Sequence, residues 1–571
     1  MTSLLHAFTS RSRSLLPRGR DLQEMRRDPR RDVLAGVTVG IVALPLALAF
    51  GITSGLGATA GLVTAIVAGA TAAAFGGSNL QVSGPTGAMT VVLIPIVAAY
   101  GAEGVLVVGL LAGLALVLMA YAGVGRYVRL IPLPVIEGFT LGIALIIGLQ
   151  QLPGALGVRV EGEHVLRLAG AAITAWSGSP GVGAPLVTLA VVVAMLATAR
   201  LRPGVPGSLL GVVAVTAAAE LLHLDLARIG ALPSGLPAPG LPGVPWASLH
   251  HLVLPALVVA ALAALESLLS ATVADAMSVS ERHDPDRELL GQGMANLAAP
   301  LFGGIPATAA IARTAVNVRS GARSRLAALV HAGFLLLVVL LLAPLVERIP
   351  LAALAGVLLV TALRMVEVSS VRTLLRTSRG DALVLLGTAA ATVLLDLVTA
   401  VLLGVVTAGA IALRRLAGSV SLEEEPLDLE GHDEEERALL DAHIVAFRLD
   451  GPLFFGAAHQ ALLELSTVTD TKVVILRMSR AASLDTTGAA LLRETVRDLE
   501  QRGTTVLMSG VRPEHRSLLG GLAFGEGRHL FARTPDAIAH ARALVTGAPG
   551  AVADPDGEGQ RDSDWTNVSW R

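Results

Sequence analysis

The chain contains no cysteine, which excludes a disulfide, a thiol nucleophile and a Cys-bound metal. It is also poor in charge. Asp, Glu, Lys and Arg make up 15% of the 571 residues against 53% hydrophobic, well off the soluble average. The formal net charge is −2, so the total says nothing about partners and only the distribution is informative. The N-terminal region lacks a short apolar segment followed by a cleavage site, so no signal peptide is expected. No catalytic constellation of nucleophile, base or metal-spaced side chains stands out, so an enzyme is not expected. Neither a nucleic-acid partner nor a cofactor beyond a coupling ion belongs to this reading.

What is present is apolar sequence in long pieces. Stretches near 33–55, 58–76, 103–123, 133–152, 182–199, 205–222, 251–274, 326–346, 350–363, 382–397 and 399–413 are mostly long enough to span a bilayer. Shorter ones at 85–99, 287–302 and 308–318 fill the gaps. At roughly twenty residues per full span this gives about fourteen spans. A soluble Ala- and Leu-rich helical protein would show polar faces throughout, which this chain does not.

Arginine marks one side. Eight arginines crowd the N-terminus, from Arg11 to Arg31, and more fall in alternate loops, among them Arg126, Arg200, Arg282, Arg323, Arg372 and Arg414. The opposite loops, 223–250 and 345–350, are poor in Arg. The positive-inside rule then expects a multi-pass cell-membrane protein with both termini cytoplasmic. The expected domains are a basic N-terminus at 1–31 on the inner leaflet, a transmembrane domain at 32–416 and an acidic linker at 417–440. A soluble domain at 441–546 and a disordered tail at 547–571 follow. In the soluble domain, His443–Leu449, Lys472–Met478 and Thr504–Met508 read as strands. Helical patterns occupy 457–466, 486–501 and 534–545, an alternation that argues a small α/β sheet.

Two apolar segments are broken in matching ways, at Ser83-Gly84-Pro85-Thr86-Gly87-Ala88 and at Gly303-Gly304-Ile305-Pro306-Ala307-Thr308-Ala309-Ala310. Irregular backbone at membrane depth is tolerated only where it lines a cavity or is buried in protein. A matched pair of Gly/Pro-interrupted spans points to a transporter's binding site. The first seven spans end near 222 and the second set begins near 251. An odd number per repeat forces inversion, giving a 7+7 inverted repeat with the breaks third in each set and their helix ends facing.

A helix N-terminus offers unpaired N–H groups and about half a positive charge, so two facing ends make an anion site from backbone. Thr86 and Thr308 add hydroxyls there, although Thr also simply caps helices. Arg313 lies one and a half turns into the second half-helix. A charge at depth costs about 2.5–3.5 kcal/mol on insertion scales and is functional by default. Glu266 sits in the apolar run Leu252–Ala274 with Ser270 four residues on, on the same helix face. Glu266 is the candidate for a coupled H+ or for Na+ shared with Ser270, and a structural ion pair with Arg313 is the plainer alternative.

These motifs resemble those of the sulfate permease (SulP) family. The resemblance covers about 33–546 and rests on Leu44–Phe50, Gln81–Met89, Ile131–Thr140, Glu266–Asp275 and, above all, Phe302–Arg325. It implies core and gate domains, a homodimer, and substrate between the third and tenth spans. Carried onto this sequence, it points to Phe50, Thr86, Glu266, Ser270, Ala310, Ala312 and Arg313. Together with Gly87, Thr308 and Ala309 at the breaks, all but the coupling-ion pair Glu266 and Ser270 are the expected substrate-binding residues. Where some relatives have polar side chains, this chain has Leu46, Ala310 and Ala312, so its anion shell would rely more on backbone N–H groups. The C-terminal domain resembles a STAS domain through Leu484-Asp485-Thr486-Thr487-Gly488. Thr486 matches the phosphorylated hydroxyl of related proteins; the plainer alternative is that Asp485 and Thr486 only cap the following helix.

The leading expectation is a secondary active transporter of small inorganic or carboxylate anions (sulfate, bicarbonate or a dicarboxylate) coupled through Glu266. The alternatives are a nucleobase or organic-anion carrier of the same architecture, and a membrane sensor signalling through the STAS domain. The absence of an output domain counts against the sensor.

Overall fold

The computed structural model describes residues 15–547 apart from 131, 161–163, 203–205, 234, 244–248, 279–281, 396, 419, 427–439, 441, 455–461, 463, 464, 466–470 and 521–528. Arg11, Arg13, Ile131, the acidic run at 433–436, most of the helical pattern at 457–466 and the tail at 548–571 lie outside the described residues. The chain divides into two compact units, Met1–Ala408 and Gly409–Arg571.

The first unit is helical. An amphipathic helix α1 (Gly19–Arg27) leads into α2 (Pro29–Thr53) and α3 (Ala58–Phe75). A two-residue strand β1 (Ser83–Gly84) precedes α4 (Gly87–Ala122), α5 (Leu133–Gln150), α6 (Val165–Gly178), α7 (Gly183–Leu201) and α8 (Gly207–Leu221). The second half has α9 (Leu249–Met277), α10 (Pro285–Leu301), β2 (Thr308–Ala309), α11 (Ile311–Arg319), α12 (Leu326–Val346) and α13 (Leu351–Met365). It closes with α14 (Val368–Thr377), α15 (Arg379–Leu394) and the first part of α16 (Leu397–Ala417), which runs past the division at 408.

Each of the fourteen apolar segments holds helix, but they are unequal. Among the described residues nine helices are long and apolar enough to cross a membrane, whereas α11 has only nine residues. The segments expected separately at 85–99 and 103–123 form the single run α4, broken where Gly101 takes φ 67° and ψ −170°, a conformation that only glycine adopts at no cost. The partly exposed α6 and the amphipathic α14, in which no residue is buried, are additions to the expected pattern.

Side-chain size sorts the faces of these helices. Leu337, Leu340, Leu341 and Leu345 of α12, and Leu186, Leu189, Val193 and Leu196 of α7, are exposed, as suits contact with lipid. Small residues face inward. A Cβ on Gly293 of α10 would lie 2.9 Å from the Val117 nitrogen of α4, and one on Gly113 would lie 2.8 Å from the Leu297 nitrogen. Close backbone approach of this kind drives helix association in membranes. Packing gathers α2, α3, α4, α9, α10, α11 and α12 into one group and α5, α7, α8, α13 and α15 into another, the core and gate division.

At the arginine-rich end, Asp21 of α1 accepts a hydrogen bond from Arg287 and lies 3.4 Å from Arg325. Burial opposes the Asp21 charge, but the bond from Arg287, the Arg18 N–H and the two guanidinium fields outweigh it and hold the carboxyl below its ordinary value of 3.8. A depressed carboxylate contributes stability that is fully present above its unfolded value and lost only as pH falls through the folded one. This attachment of α1 therefore holds at neutral pH.

The second unit is a five-stranded sheet of β3 (Ser421–Glu425), β4 (Ile444–Leu453), β5 (Val473–Leu484), β6 (Thr505–Ser509) and β7 (Leu530–Phe531), in that order. β3 is antiparallel to β4 and the remaining pairs are parallel. Helices α17 (Thr486–Gln501), α18 (Pro513–Gly520) and α19 (Thr534–Thr546) complete it. Successive residues of β5 alternate between two cores: Val474 and Leu476 pack with Leu492 and Val496 of α17, Val473 and Ile475 with Ala537 and Ala541 of α19. One expectation is corrected here. The acidic run Glu423–Glu425, assigned to a linker at 417–440, belongs to the edge strand β3, with Glu423 and Glu425 paired with Arg448 and Arg477.

Candidate anion site at the paired breaks

The two broken segments meet. β1 and β2 pair antiparallel, Ser83 opposite Ala309 and Gly84 opposite Thr308, so residues some 225 apart form one ladder that satisfies the irregular backbone. Side chains complete it. Asn296 of α10 both donates to the Ala307 carbonyl and accepts from the Ala307 N–H at 2.8 Å. Gln292 donates to Ser83 Oγ at 2.7 Å, and Thr64 donates to the Ile305 carbonyl at 3.0 Å. Thr64 opens one turn of π-helix, Thr64–Ala68, inside α3, a device common at functional sites.

The first helix end is closed. Thr86 is the N-cap of α4 and accepts from the Met89 N–H at 3.3 Å, while its hydroxyl donates to Glu266 Oε2 at 2.9 Å. Gly87 and Ala88 are buried. A Cβ on Gly87 would lie 2.3 Å from Ile147 Cδ1 and 3.2 Å from Phe50 Cε1, so only glycine lets α2 and α5 wall this end so closely.

The second helix end is open. Ala310 is the N-cap of α11 and gives no side-chain cap. Ile311 and Ala312 are exposed and Ala310 is partly so. The N–H groups of Ile311, Ala312 and Arg313 occupy the first turn, where no intrahelical acceptor exists. They are the donors left for an anion. Arg313, 2% exposed, is in that turn, nearer the helix end than expected, because α11 starts at Ile311 and not at 308. Its Nη2 donates to the Pro85 carbonyl at 2.8 Å across the ladder.

Several expected binding groups are otherwise engaged. The Thr308 hydroxyl lies in β2, 3.0 Å from Ser267 Oγ and 3.4 Å from the Ala263 carbonyl, and is not at the helix end. The Ala309 N–H donates to Ser267 Oγ and the Ala310 N–H to the Val82 carbonyl. Glu266 and Ser270 share a face of α9 but not a partner. Ser270 donates to Thr314 Oγ1 at 3.0 Å, which also accepts from the Val82 N–H. Among the described residues no cluster of three or more His, Cys, Asp or Glu could hold a metal. Thr486 is exposed at the start of α17, and Asp485 caps that helix through Gly488 N at 2.7 Å.

The parts played by Ser267, Ile147 and Thr314 had no signal in the sequence. A lone Ser or Ile in an apolar helix reads as packing until a second segment is set against it.

The sulfate permease family pattern matches residues 30–388, and a STAS domain pattern matches 438–537. The chain is 37% identical over 515 residues to the putative sulfate transporter YvdB of Bacillus subtilis, covering 88% of this chain and 94% of that protein. It is 32% identical over 533 residues to the bicarbonate transporter BicA of Picosynechococcus, covering 89% and 92%. In structure it resembles the murine solute carrier 26 family member A9 with a TM-score of 0.78 and 16% identity, covering 90% of this chain and 91% of that one. This chain therefore belongs to the sulfate permease family, whose members are transporters and not enzymes.

Proposed function

We propose that this member of the sulfate permease family is a secondary active transporter of small anions that binds its substrate at the uncapped end of α11. The observation that carries the reading is the convergence of that end, the α4 end and Arg313 on one ladder, with the Glu266 carboxylate beside them. The donors of Ile311, Ala312 and Arg313 face the anion, and Phe50 and Ile147 wall the opposite end. The two relatives' names, one for sulfate and one for bicarbonate, support a small oxyanion.

Charge arithmetic separates the candidates. Two helix ends supply about half a charge each and Arg313 one more. With Glu266 ionised the sum is about +1, which matches bicarbonate. With Glu266 neutralised by H+ or Na+ it is about +2, which suits sulfate or a dicarboxylate. On this reading the coupling ion sets which charge class travels. Cytoplasmic termini, dimerisation and regulation at Thr486 belong to the same proposal. A phosphate on Thr486 would sit at the favourable N-terminus of α17.

The test is uptake of labelled sulfate, bicarbonate, fumarate and uracil into proteoliposomes of the full chain under imposed pH and Na+ gradients. Saturable uptake of one anion driven by one gradient is expected. Uptake of uracil alone, or of nothing, overturns the reading.

A further inference from the structure

Among the described residues, several buried polar atoms around the ladder have no protein partner. These include Gln81 Oε1, Gln292 Oε1, Arg313 Nη1, Asn317 Oδ1 and both ring nitrogens of His331. Gln81 lies just before the first break, and Gln292, Arg313 and Asn317, from other elements, are bonded to the stretch Leu80–Pro85. Gln292 bonds Ser83 and Arg313 bonds Pro85. Asn317 donates to the Leu80 carbonyl at 2.7 Å. His331 of α12 is fully buried. A methyl built on Gly69 would lie 3.3 Å from the Ser83 carbonyl oxygen and 3.8 Å from His331 Nδ1. Arg313 Nη1 lies against the same strand, 2.6 Å from a Cβ built on Gly84.

Buried polar atoms left unpaired are expensive enough that native proteins pair nearly all of them. Their chemistry here is mixed. Three amide oxygens and one imidazole nitrogen accept, while Arg313 Nη1 and the other imidazole nitrogen donate. An inorganic anion would satisfy the donors and repel the oxygens. Water satisfies both, and polar cavities of this kind hold it.

We propose that bound water occupies the space between Gly69, Ser83 and His331, and that His331 is a positioning residue that holds Arg313 Nη1 through it. A side chain at 69 would enter the space the water needs, its Cβ coming within 3.3 Å of the Ser83 oxygen. Arg313 is thereby fixed by two attachments, the Pro85 carbonyl directly and His331 through water, and is aimed as a unit with the first break.

The test has two arms, of which only the second rests on the transport reading. Hydroxyl-radical footprinting by X-ray radiolysis of the full chain in lipid nanodiscs labels side chains beside bound water even where bulk solvent is excluded. Wild-type protein should be oxidised at His331, and Gly69→Ala, whose helical backbone accepts alanine, should lose that label. An unlabelled His331 in the wild type, or equal labelling in Gly69→Ala, overturns the proposal. In the second arm, uptake kinetics are measured with sulfate and with bicarbonate. His331→Leu should raise KM several-fold with Vmax nearly unchanged, and His331→Gln, which still bonds water, should restore it. Equal KM in all three proteins overturns the positioning role. Failure of every protein to carry either anion rejects sulfate and bicarbonate as its substrates, while the footprinting arm still decides the bound water.

Discussion

At the first break Thr86 caps α4 and donates its own hydroxyl to Glu266, whereas at the second break Ala310 gives α11 no cap at all. The same residue types, Gly, Pro, Thr and Ala, thus build two helix ends of opposite character. One is closed over by Phe50 and Ile147 and wired to a carboxylate. The other is exposed and carries the guanidinium. A capped helix end is a stable element, while an uncapped one keeps its donors for a ligand. The pair therefore divides the work: the first end carries the link to the coupling carboxylate and the second meets the anion.

Substitutions can break this division, beginning with the largest effect. Arg313→Ala removes the charge at the open end and frees the Pro85 carbonyl. Uptake should fall by more than about tenfold, and stability by about 1–3 kcal/mol, the cost of a buried unpaired acceptor, read by thermal unfolding in detergent. Unchanged uptake would place the anion elsewhere.

Glu266→Gln should act differently. The amide oxygen still accepts from Thr86, so folding is preserved. Uptake should persist but lose its dependence on the imposed cation gradient. If both rate and cation dependence match the wild type, the coupling role fails.

Thr86→Val and Thr308→Val put the two breaks side by side. Losing the Thr86 cap should cost about 1 kcal/mol and shift the cation dependence, because Glu266 loses its hydrogen bond from Thr86. Losing the Thr308 hydroxyl, which also bonds Glu266 but caps no helix, should cost a similar hydrogen-bond energy, about 1 kcal/mol, with KM unchanged and a smaller shift in cation dependence. Equal transport effects from both would erase the asymmetry.

Much of this molecule was legible in its sequence. The breaks announced themselves because Gly and Pro in apolar runs are costly unless used, and the strand–helix alternation after residue 441 was periodic enough to read. The detail of the second break was not. Thr308 is a preferred N-cap residue, so the sequence placed the helix start there, but pairing with Gly84 draws Thr308 into a strand and moves the cap to Ala310. That pairing depends on a segment far away in the chain and leaves no local trace. The same holds for β3, whose acidic residues look like a linker until Arg448 and Arg477 lie beside them. Glu266 and Ser270 were correctly set on one face, yet proximity along a helix did not give them a common partner.

The central claim is that the open end of α11 holds the anion, and Ala310→Asp tests it most directly. Ala310 has extended backbone angles, φ −104° and ψ 118°, suited to an aspartate cap. A carboxylate there should raise stability by about 1 kcal/mol while supplying a tethered anion at the site. The account predicts anion uptake abolished in a protein that unfolds at the wild-type temperature or above. Wild-type uptake by that folded variant would contradict it.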